Sequence, residues 1–275
     1  MVHNGPMTND TRRSRFRSLH DSGTFVMPNP HDVGSCRLLT SLGFDALATT
    51  SGGLAATLGR LDMTVGRDEL VDHARTLADS THLPLTVDAE RCYPDDPGGV
   101  AATVRLLAEA GAAGCSIEDW NPSTARIEDI ALVVERVAAA SEEADRHGMV
   151  LTARCENLLH GVEDQEDTVH RLRAYRDAGA HVVYAPGLTD LDHIARIVDA
   201  SGAPVNVLLV PGGPSREQLA AIGVRRLSVG SSLARIACGA LVEAAEQLRD
   251  SGILESSRPY LSRDVARGAF GPPGP

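Results

Sequence analysis

Four charged residues close successive apolar runs of this 275-residue chain: Asp88, Glu90, Glu118 and Arg154. Because side chains alternate between the two faces of a strand, the apolar residues of each run share one face and these charged groups share the other. Three carboxylates gathered around one guanidinium would repel each other unless a further cation joined them. Carboxylate oxygens suit a hard divalent ion such as Mg2+, with Mn2+ as the alternative. The pattern therefore predicts a metal site, and a solvated acidic rim is the competing interpretation on a chain of net charge −11.

Residues 49–53 read Thr-Thr-Ser-Gly-Gly and could bind an anion. They follow a short apolar run, where hydroxyl groups and glycines can offer backbone N–H groups to a negatively charged ligand. Many ordinary turns have the same composition, so this signal is weak by itself.

The composition excludes several classes of function. The chain has no lysine, and all 26 basic residues are arginine, which excludes Schiff-base aldolases, pyridoxal-phosphate enzymes and P-loop nucleotidases. The net charge of −11 argues against a nucleic-acid partner. The sequence also lacks the apolar run of about 18 residues that a membrane span requires. We expect a cytoplasmic protein, because no basic-then-apolar leader opens the chain and its five cysteines form no CxxC motif.

Eight short apolar runs alternate with stretches of helical periodicity along the chain. The charged residues lie on these runs, so the fold of the runs determines where the charged side chains meet. We predict strands at residues 25–27, 46–50, 83–90, 114–120, 149–156, 181–185, 205–210 and 226–230. This count predicts a single-domain α/β protein, a (β/α)8 TIM barrel over residues 23–252, a fold that needs about 250 residues and places its active site at the carboxyl ends of its strands. A doubly wound open sheet is the alternative, but it usually has a glycine-rich turn where this chain has Pro-Asn-Pro after its first strand. We expect residues 1–22 to form a partly disordered N-terminal segment with a short helix near 11–21, and residues 253–275 to form a tail.

In these motifs the sequence resembles the isocitrate lyase / phosphoenolpyruvate mutase superfamily. The matching segments are residues 48–53, 58–62, 87–90, 116–119, 152–154 and 204–207, within a resemblance that covers residues 25–252. The resemblance implies a (β/α)8 barrel, often with its eighth helix swapped between subunits, in a homo-oligomer such as a dimer or tetramer. It also implies bound Mg2+ and a small-molecule carboxylate substrate that reacts through an enolate-like intermediate.

The resemblance also implies roles for individual residues. The residues that resemble metal ligands are Asp88, which would bind Mg2+ directly, and Asp62, Glu90 and Glu118, which would bind it through water. The residues that resemble substrate ligands are Thr50, Ser51, Gly52, Arg154 and Asn206. Arg154 would clamp an anionic group with its bidentate fork, and catalysis would depend on Arg154, Glu118 and Asp88.

The loop after the fourth predicted strand departs from the family. Lyases of the isocitrate type carry Lys-Lys-Cys-Gly-His there, with the cysteine as acid/base, and phosphonomutases carry a stretch with Lys and Asn. Residues 120–126 of this chain read Trp-Asn-Pro-Ser-Thr-Ala-Arg, which is shorter and offers Arg126 as its cation. Glu90 also stands where many members have Asp. The proton donor is therefore open, and the candidates by position are Tyr93, His160 and Tyr184.

These features favour a Mg2+-dependent lyase that cleaves or decarboxylates a small 2-oxo or 2-hydroxy carboxylic acid. A phosphonomutase or phosphonopyruvate hydrolase, which would act on a P–C bond with the same metal and anion clamp, is the first alternative. A metabolite-binding barrel that kept the metal site and lost its catalytic acid is the second.

Overall fold

Eight parallel strands form a nearly closed barrel in the computed structural model, which describes residues 8–96, 98–254 and 260–271. The strands of the chain are β1 (Phe25–Met27), β2 (Leu47–Ala48), β3 (Leu85–Asp88), β4 (Gly114–Glu118), β5 (Trp120–Asn121), β6 (Arg126–Ile127), β7 (Val150–Arg154), β8 (Val182–Tyr184), β9 (Val205–Leu208) and β10 (Arg226–Ser228). The barrel order is β1-β10-β9-β8-β7-β4-β3-β2, and β5 and β6 make a separate antiparallel hairpin. At the seam between β1 and β2, the Ala48 N–H donates to the Pro28 carbonyl at 3.1 Å. The predicted (β/α)8 barrel is confirmed.

Most of the barrel strands end earlier than the sequence predicts. β3 ends at Asp88, and Glu90 lies beyond it in a left-handed conformation with a φ of 51°. The alternation of faces therefore does not extend to Glu90, contrary to the expectation for residues 83–90. Trp120, predicted to end the fourth strand, instead begins the β5–β6 hairpin and pairs with Ile127.

Helices cover the barrel between its strands. They are α1 (Asn9–Ser18), α2 (Val33–Ser41), α3 (Ser51–Thr57), α4 (Arg67–Ala78), α5 (Gly99–Glu109), α6 (Ile130–Arg146), α7 (Gln165–Asp177), α8 (Leu191–Ser201), α9 (Arg216–Ala221), α10 (Ser232–Ser251) and α11 (Arg263–Phe270). Most begin at a side chain that accepts a hydrogen bond from the first turn, such as Asp32 before α2 and Asp164 before α7. No helix among the described residues is both long and apolar enough to cross a membrane.

Helix α1 closes the amino-terminal end of the barrel. Its Phe16 is fully buried in an apolar cluster inside the barrel, which contains Phe25, Met27, Ala46, Ala48, Ala113, Val150 and Val182. Arg13 anchors the helix by donating to the carbonyls of Ala108 and Ala112 at 2.6 and 3.1 Å. The short helix expected near residues 11–21 of the N-terminal segment thus corresponds to α1, which packs on the barrel through Arg13 and Phe16, and residues 1–7 lie outside the described residues.

The carboxyl-terminal helices leave apolar side chains exposed. α10 buries Ala234, while more than half of the surface is exposed at Ile236, Leu241, Val242 and Leu248. α11 lies in the segment predicted as a tail, and it contacts α2. A second subunit that exchanged this region would cover such side chains. The swapped helix, the homo-oligomer and the cytoplasmic location stay predictions.

His20 follows α1 and is buried among aromatic rings. Its ring contacts Phe16 and Phe25 edge-to-face, with centroids 5.0 and 5.2 Å apart. Burial and the nearby charge of Arg226 lower the pKa of His20 to about 3. The pKa of an unfolded histidine is about 6.5, so below that pH the unfolded chain binds a proton that the folded chain does not bind. His20 therefore destabilises the fold progressively as the pH falls.

Replacing His20 with Asn should reduce the acid sensitivity of the fold. From about pH 7 to about pH 5, the free energy of unfolding of the wild-type protein should fall by about 2 kcal/mol more than that of His20→Asn. One proton that only the unfolded chain binds changes this free energy by about 1.4 kcal/mol for each pH unit. Urea unfolding at a series of pH values measures the difference, with the exposed His82→Asn as the control. Identical pH slopes for wild type and His20→Asn would contradict this account.

Candidate active site

Arg154, the last residue of β7, joins three carboxylates at the mouth of the barrel. Its Nη1 lies 2.7 Å from Oδ1 of Asp88, its Nη2 lies 3.2 Å from Oε2 of Glu118, and its Nε lies 2.8 Å from Oε1 of Glu156. Although burial opposes a charge here, the carboxylates of Glu156, Glu118 and Asp88 raise the pKa of Arg154 well above its usual value. The structure thus brings Asp88, Glu118 and Arg154 together, and it adds Glu156.

The mouth carries more negative than positive charge. Burial, together with the charges of Glu156, Asp88 and Glu90, raises the pKa of Glu118 well above its usual value. Burial and the charges of Asp88 and Asp62 raise the pKa of Glu90 to about 8. Arg154 is the cation that opposes both shifts. The site is therefore arranged to favour either protonated acids or an additional cation.

Asp88 also contacts the start of α3, where the anion-binding turn was predicted. The Ser51 N–H and Oγ donate to Oδ2 of Asp88 at 3.3 and 3.2 Å. Thr50 caps α3, and its Oγ1 lies 2.6 Å from Oγ of Ser231 on the loop after β10. Thr50, Ser51 and Asp88 line one cavity, so the turn and the acidic cluster form a single site.

Gly52 packs closely between two loops of this site. A Cβ atom at this position would lie 2.8 Å from Oγ of Ser231 and 3.0 Å from Oδ2 of Asp62, so a larger residue would push both side chains aside. The close approach brings Asp62 to the rim of the cavity, where it is exposed. The absence of a side chain at Gly52 therefore leaves room for the side chains of Ser231 and Asp62 beside this turn.

The cavity has a volume of about 210 Å³ and extends from the mouth into the barrel interior. Asn206 lines its deeper part with both halves of its amide engaged. Its Oδ1 accepts from Nε of Arg226 at 2.9 Å, and its Nδ2 donates to Oγ of Ser228 at 3.0 Å. Nη2 of Arg226 donates to Oγ1 of Thr152 at 2.9 Å. Asn206 thus lies in the cavity, as part of a polar network that the sequence did not reveal.

The two candidate tyrosines occupy different places. Tyr184, at the end of β8, lines the cavity, and Cζ of Arg154 lies 5.4 Å from its ring centroid. Burial raises the pKa of Tyr184, so its phenol stays protonated at neutral pH. The hydroxyl of Tyr93 donates to the Val65 carbonyl at 3.0 Å, and Tyr93 does not line this cavity. Tyr184 is therefore the tyrosine that can face a substrate.

His160 lies in a 3-10 turn (Asn157–His160) after β7 and stacks on Trp120. The ring centroids are 3.4 Å apart and the rings are nearly parallel. Burial lowers the pKa of His160, which keeps the ring neutral at neutral pH. The stack connects the short β5–β6 hairpin to the rim of the cavity, where Leu159 forms part of the wall. Arg126 in the hairpin is exposed.

Asn29 fastens three strand ends together and was not predicted as a site residue. Its Oδ1 accepts from the N–H groups of Val229 and Gly230 at 2.9 and 3.0 Å. Its Nδ2 donates to the Thr49 carbonyl at 2.8 Å. In the sequence, only its position between Pro28 and Pro30, directly after the first strand, could have indicated that this asparagine lies at the site.

Two further charged residues were also missed, Glu156 beside Arg154 at the mouth and Arg226 in the wall of the cavity. Glu156 follows Arg154 by two residues, so the alternation of faces could have placed it beside the other acids. Arg226 lies two residues before Ser228 on the same strand, so the alternation of faces also turns it inward, although an arginine at the start of a strand usually indicates a solvent-exposed position. Its burial depends on the closure of the barrel around it.

Comparisons with known proteins agree with this fold. A family model described as phosphoenolpyruvate phosphomutase matches residues 16–249. An oxaloacetate decarboxylase from Paraburkholderia xenovorans is 30% identical over 282 positions, which cover 96% of this chain and 91% of that protein. A Burkholderia cenocepacia J2315 structure, described provisionally as a lyase/mutase, is 46% identical with a TM-score of 0.90, covering 96% of this chain and 97% of its own.

A third likeness is to 2,3-dimethylmalate lyase, whose structure is described as that of a PEP mutase/isocitrate lyase superfamily member. It is 27% identical with a TM-score of 0.82, and the match covers 94% of each chain. The family model matches most of the barrel, including every strand and the acidic mouth. The chain therefore belongs to the phosphoenolpyruvate mutase/isocitrate lyase superfamily.

Proposed function

We propose that this protein is a Mg2+-dependent lyase that breaks a C–C bond, by cleavage or decarboxylation, in a small 2-oxo or 2-hydroxy carboxylic acid. The observation that carries the proposal is the buried excess of carboxylates around Arg154, next to a turn lined with hydroxyl and N–H groups. The enzymes of this superfamily are lyases, mutases or hydrolases. The names of the decarboxylase and the dimethylmalate lyase support C–C chemistry here.

The acidic side chains fit a largely hydrated divalent ion. All the donors are carboxylate oxygens, and a divalent charge would reverse the raised pKa values of Glu118 and Glu90. Within the described part of the chain, no three acidic, cysteine or histidine side chains are grouped closely enough to bind one ion directly. An ion would therefore be held by Asp88 directly and by the other acids through water, as the resemblance implies, which is a mode that Mg2+ favours. Those other acids are Asp62, Glu90 and Glu118.

The bound metal would supply Lewis-acid polarisation of the substrate's 2-oxo group. The N–H and hydroxyl of Ser51 donate to Asp88 in long hydrogen bonds. Because these bonds are long, the substrate carboxylate and the charge that develops on the 2-oxygen would compete for the same two donors. Arg154 balances and positions the carboxylates, because all three of its nitrogens already contact acids. This role differs from the direct anion clamp that the resemblance implies.

The proton that an enolate-like product takes up must come from a group that faces the cavity. Tyr184 meets this condition, because it lines the cavity and carries its phenol proton at neutral pH. Tyr93 does not, because its hydroxyl is engaged by Val65 away from the cavity. His160 does not meet it either, because it is exposed at the rim and does not line the cavity. We assign the proton donor to Tyr184.

P–C bond chemistry is the alternative, because the matching family model is described as a phosphomutase. The β5–β6 hairpin counts against it. Transfer of a phosphoryl group calls for positive charge at the transferring oxygens, and this hairpin offers only the exposed Arg126 among its described residues. A barrel that binds metabolites without catalysis is the third possibility.

Turnover assays with a small panel of acids test the proposal. The purified protein with Mg2+ is given oxaloacetate, 2-methylisocitrate and phosphonopyruvate in parallel. We expect pyruvate from one of the first two acids, and we expect EDTA to abolish its release. Phosphate or phosphoenolpyruvate from phosphonopyruvate would instead support the P–C alternative. Thermal stabilisation by these acids without any product would indicate a binding protein.

Asp88→Asn should weaken Mg2+ binding by more than about 100-fold, because even the loss of an outer-shell partner costs about 10- to 100-fold. Isothermal titration calorimetry measures the affinity in the absence of substrate. Asp72→Asn, on the exposed side of α4, changes the net charge equally and should bind Mg2+ like the wild type. Undiminished Mg2+ affinity in Asp88→Asn would remove the metal assignment.

Arg154→Lys should lower kcat/KM on the order of 100-fold, because one ammonium cannot contact three carboxylates along a guanidinium fork and the acids would shift. Steady-state kinetics on the substrate found in the panel measure the loss. Arg136→Lys is the matched control, since Arg136 pairs with Glu128 on the helix layer and its side chain is similarly exposed, 17% against 15%. Near-normal kcat/KM in Arg154→Lys would show that the acids hold their positions without the guanidinium.

A further inference from the structure

Arg226 is a buried cation in the barrel interior that faces no carboxylate among the residues that the structure describes. It begins β10, is only 3% exposed and lines the cavity. Its Nε and Nη2 donate to the neutral side chains of Asn206 and Thr152. Its Nη1 is buried and has no hydrogen-bond partner. The guanidinium therefore keeps both an unbalanced charge and an unused donor.

The two arginines of the cavity have opposite charge balances. Arg154 at the mouth contacts three carboxylates, so its charge is more than neutralised. Arg226 lies deeper, and burial lowers its pKa to about 9, with Tyr184 as the group that opposes the shift. A buried charge without a counter-ion is costly unless a ligand completes it. The positive charge of this cavity that no carboxylate of the described residues balances is therefore that of Arg226, at the deep end.

We propose that Arg226, with Thr152 and Asn206, forms a subsite for the distal carboxylate of a dicarboxylic substrate. The inference rests on the proposed function, which places the 2-oxo-acid end of the substrate at Ser51 near the mouth. A second carboxylate that reaches down the cavity would accept a hydrogen bond from Nη1 of Arg226 and balance its charge. A monocarboxylate would fill the mouth and leave Arg226 unpaired. Arg226 would thus determine specificity for dicarboxylates.

Binding of a matched pair of acids tests the subsite directly. Succinate and butyrate have the same chain length and differ by one carboxylate. In the presence of Mg2+, titration calorimetry should show that the wild type binds succinate about 10- to 100-fold more tightly than butyrate, the range expected for hydrogen bonds to a charged group. Arg226→Met, which removes the charge but keeps apolar bulk, should lose this preference and bind butyrate as the wild type does.

A second variant and a stability measurement separate this role from a structural one. Arg226→Gln keeps a hydrogen-bonding group beside Asn206 without the charge. Arg226→Met leaves Oδ1 of Asn206 without its donor, so the ligand-free Tm of this variant should fall. Arg226→Gln removes the unpaired buried charge and keeps a hydrogen-bonding group beside Asn206, so its Tm should stay close to that of the wild type. A clear fall in the Tm of Arg226→Gln together with an unchanged succinate preference would assign Arg226 a structural role and overturn the inference.

The outcomes also separate this inference from the proposed function. Succinate preference in the wild type that is lost in both variants supports the subsite, even if no acid of the panel is turned over. Turnover by the wild type combined with an unchanged succinate preference in the variants would overturn the subsite and leave the lyase proposal intact. Equal affinities of the wild type for succinate and butyrate would also overturn the subsite.

Discussion

Burial of three carboxylates around one guanidinium is the constraint on which the site depends. In a medium of low polarity such a group is tolerated only if protons or a cation offset the excess charge. The strand register makes the cluster possible, because β4 and β7 pair Glu118 with Arg154 and β3 and β4 pair Asp88 with Ser116. A slip of one residue in either pair would turn these side chains away from the cavity.

Two polar anchors keep the strand ends in place around this charged group. Asp119 is fully buried and accepts from the Glu156 N–H at 2.8 Å and from the Tyr175 hydroxyl at 2.7 Å. It thereby ties the end of β7 to β4 and to α7. On the opposite side, Asn29 connects the ends of β1, β2 and β10. Rigid support of this kind is what holds catalytic side chains in productive positions.

The sequence predicts the barrel well because strand count and helical periodicity are local properties of the chain. It also predicts that Asp88, Glu118 and Arg154 lie together, since each ends a strand whose faces alternate. Glu90 differs, because a left-handed residue after a strand depends on the surrounding tertiary packing. The burial of Phe16 could not be predicted for a related reason, because it depends on how the closed barrel is filled, which no local pattern shows. Alternation gives the inward direction of Arg226, but the depth of its burial depends on the same filling.

The stack of Trp120 on His160 has a practical consequence. Trp120 is the only tryptophan of the chain, so all of its indole fluorescence originates at the rim of the cavity. Contact with an imidazole makes indole emission sensitive to the charge and distance of that ring. Any displacement of the hairpin away from the turn after β7 would therefore change the emission spectrum. The protein carries an intrinsic optical reporter at the entrance of its own cavity.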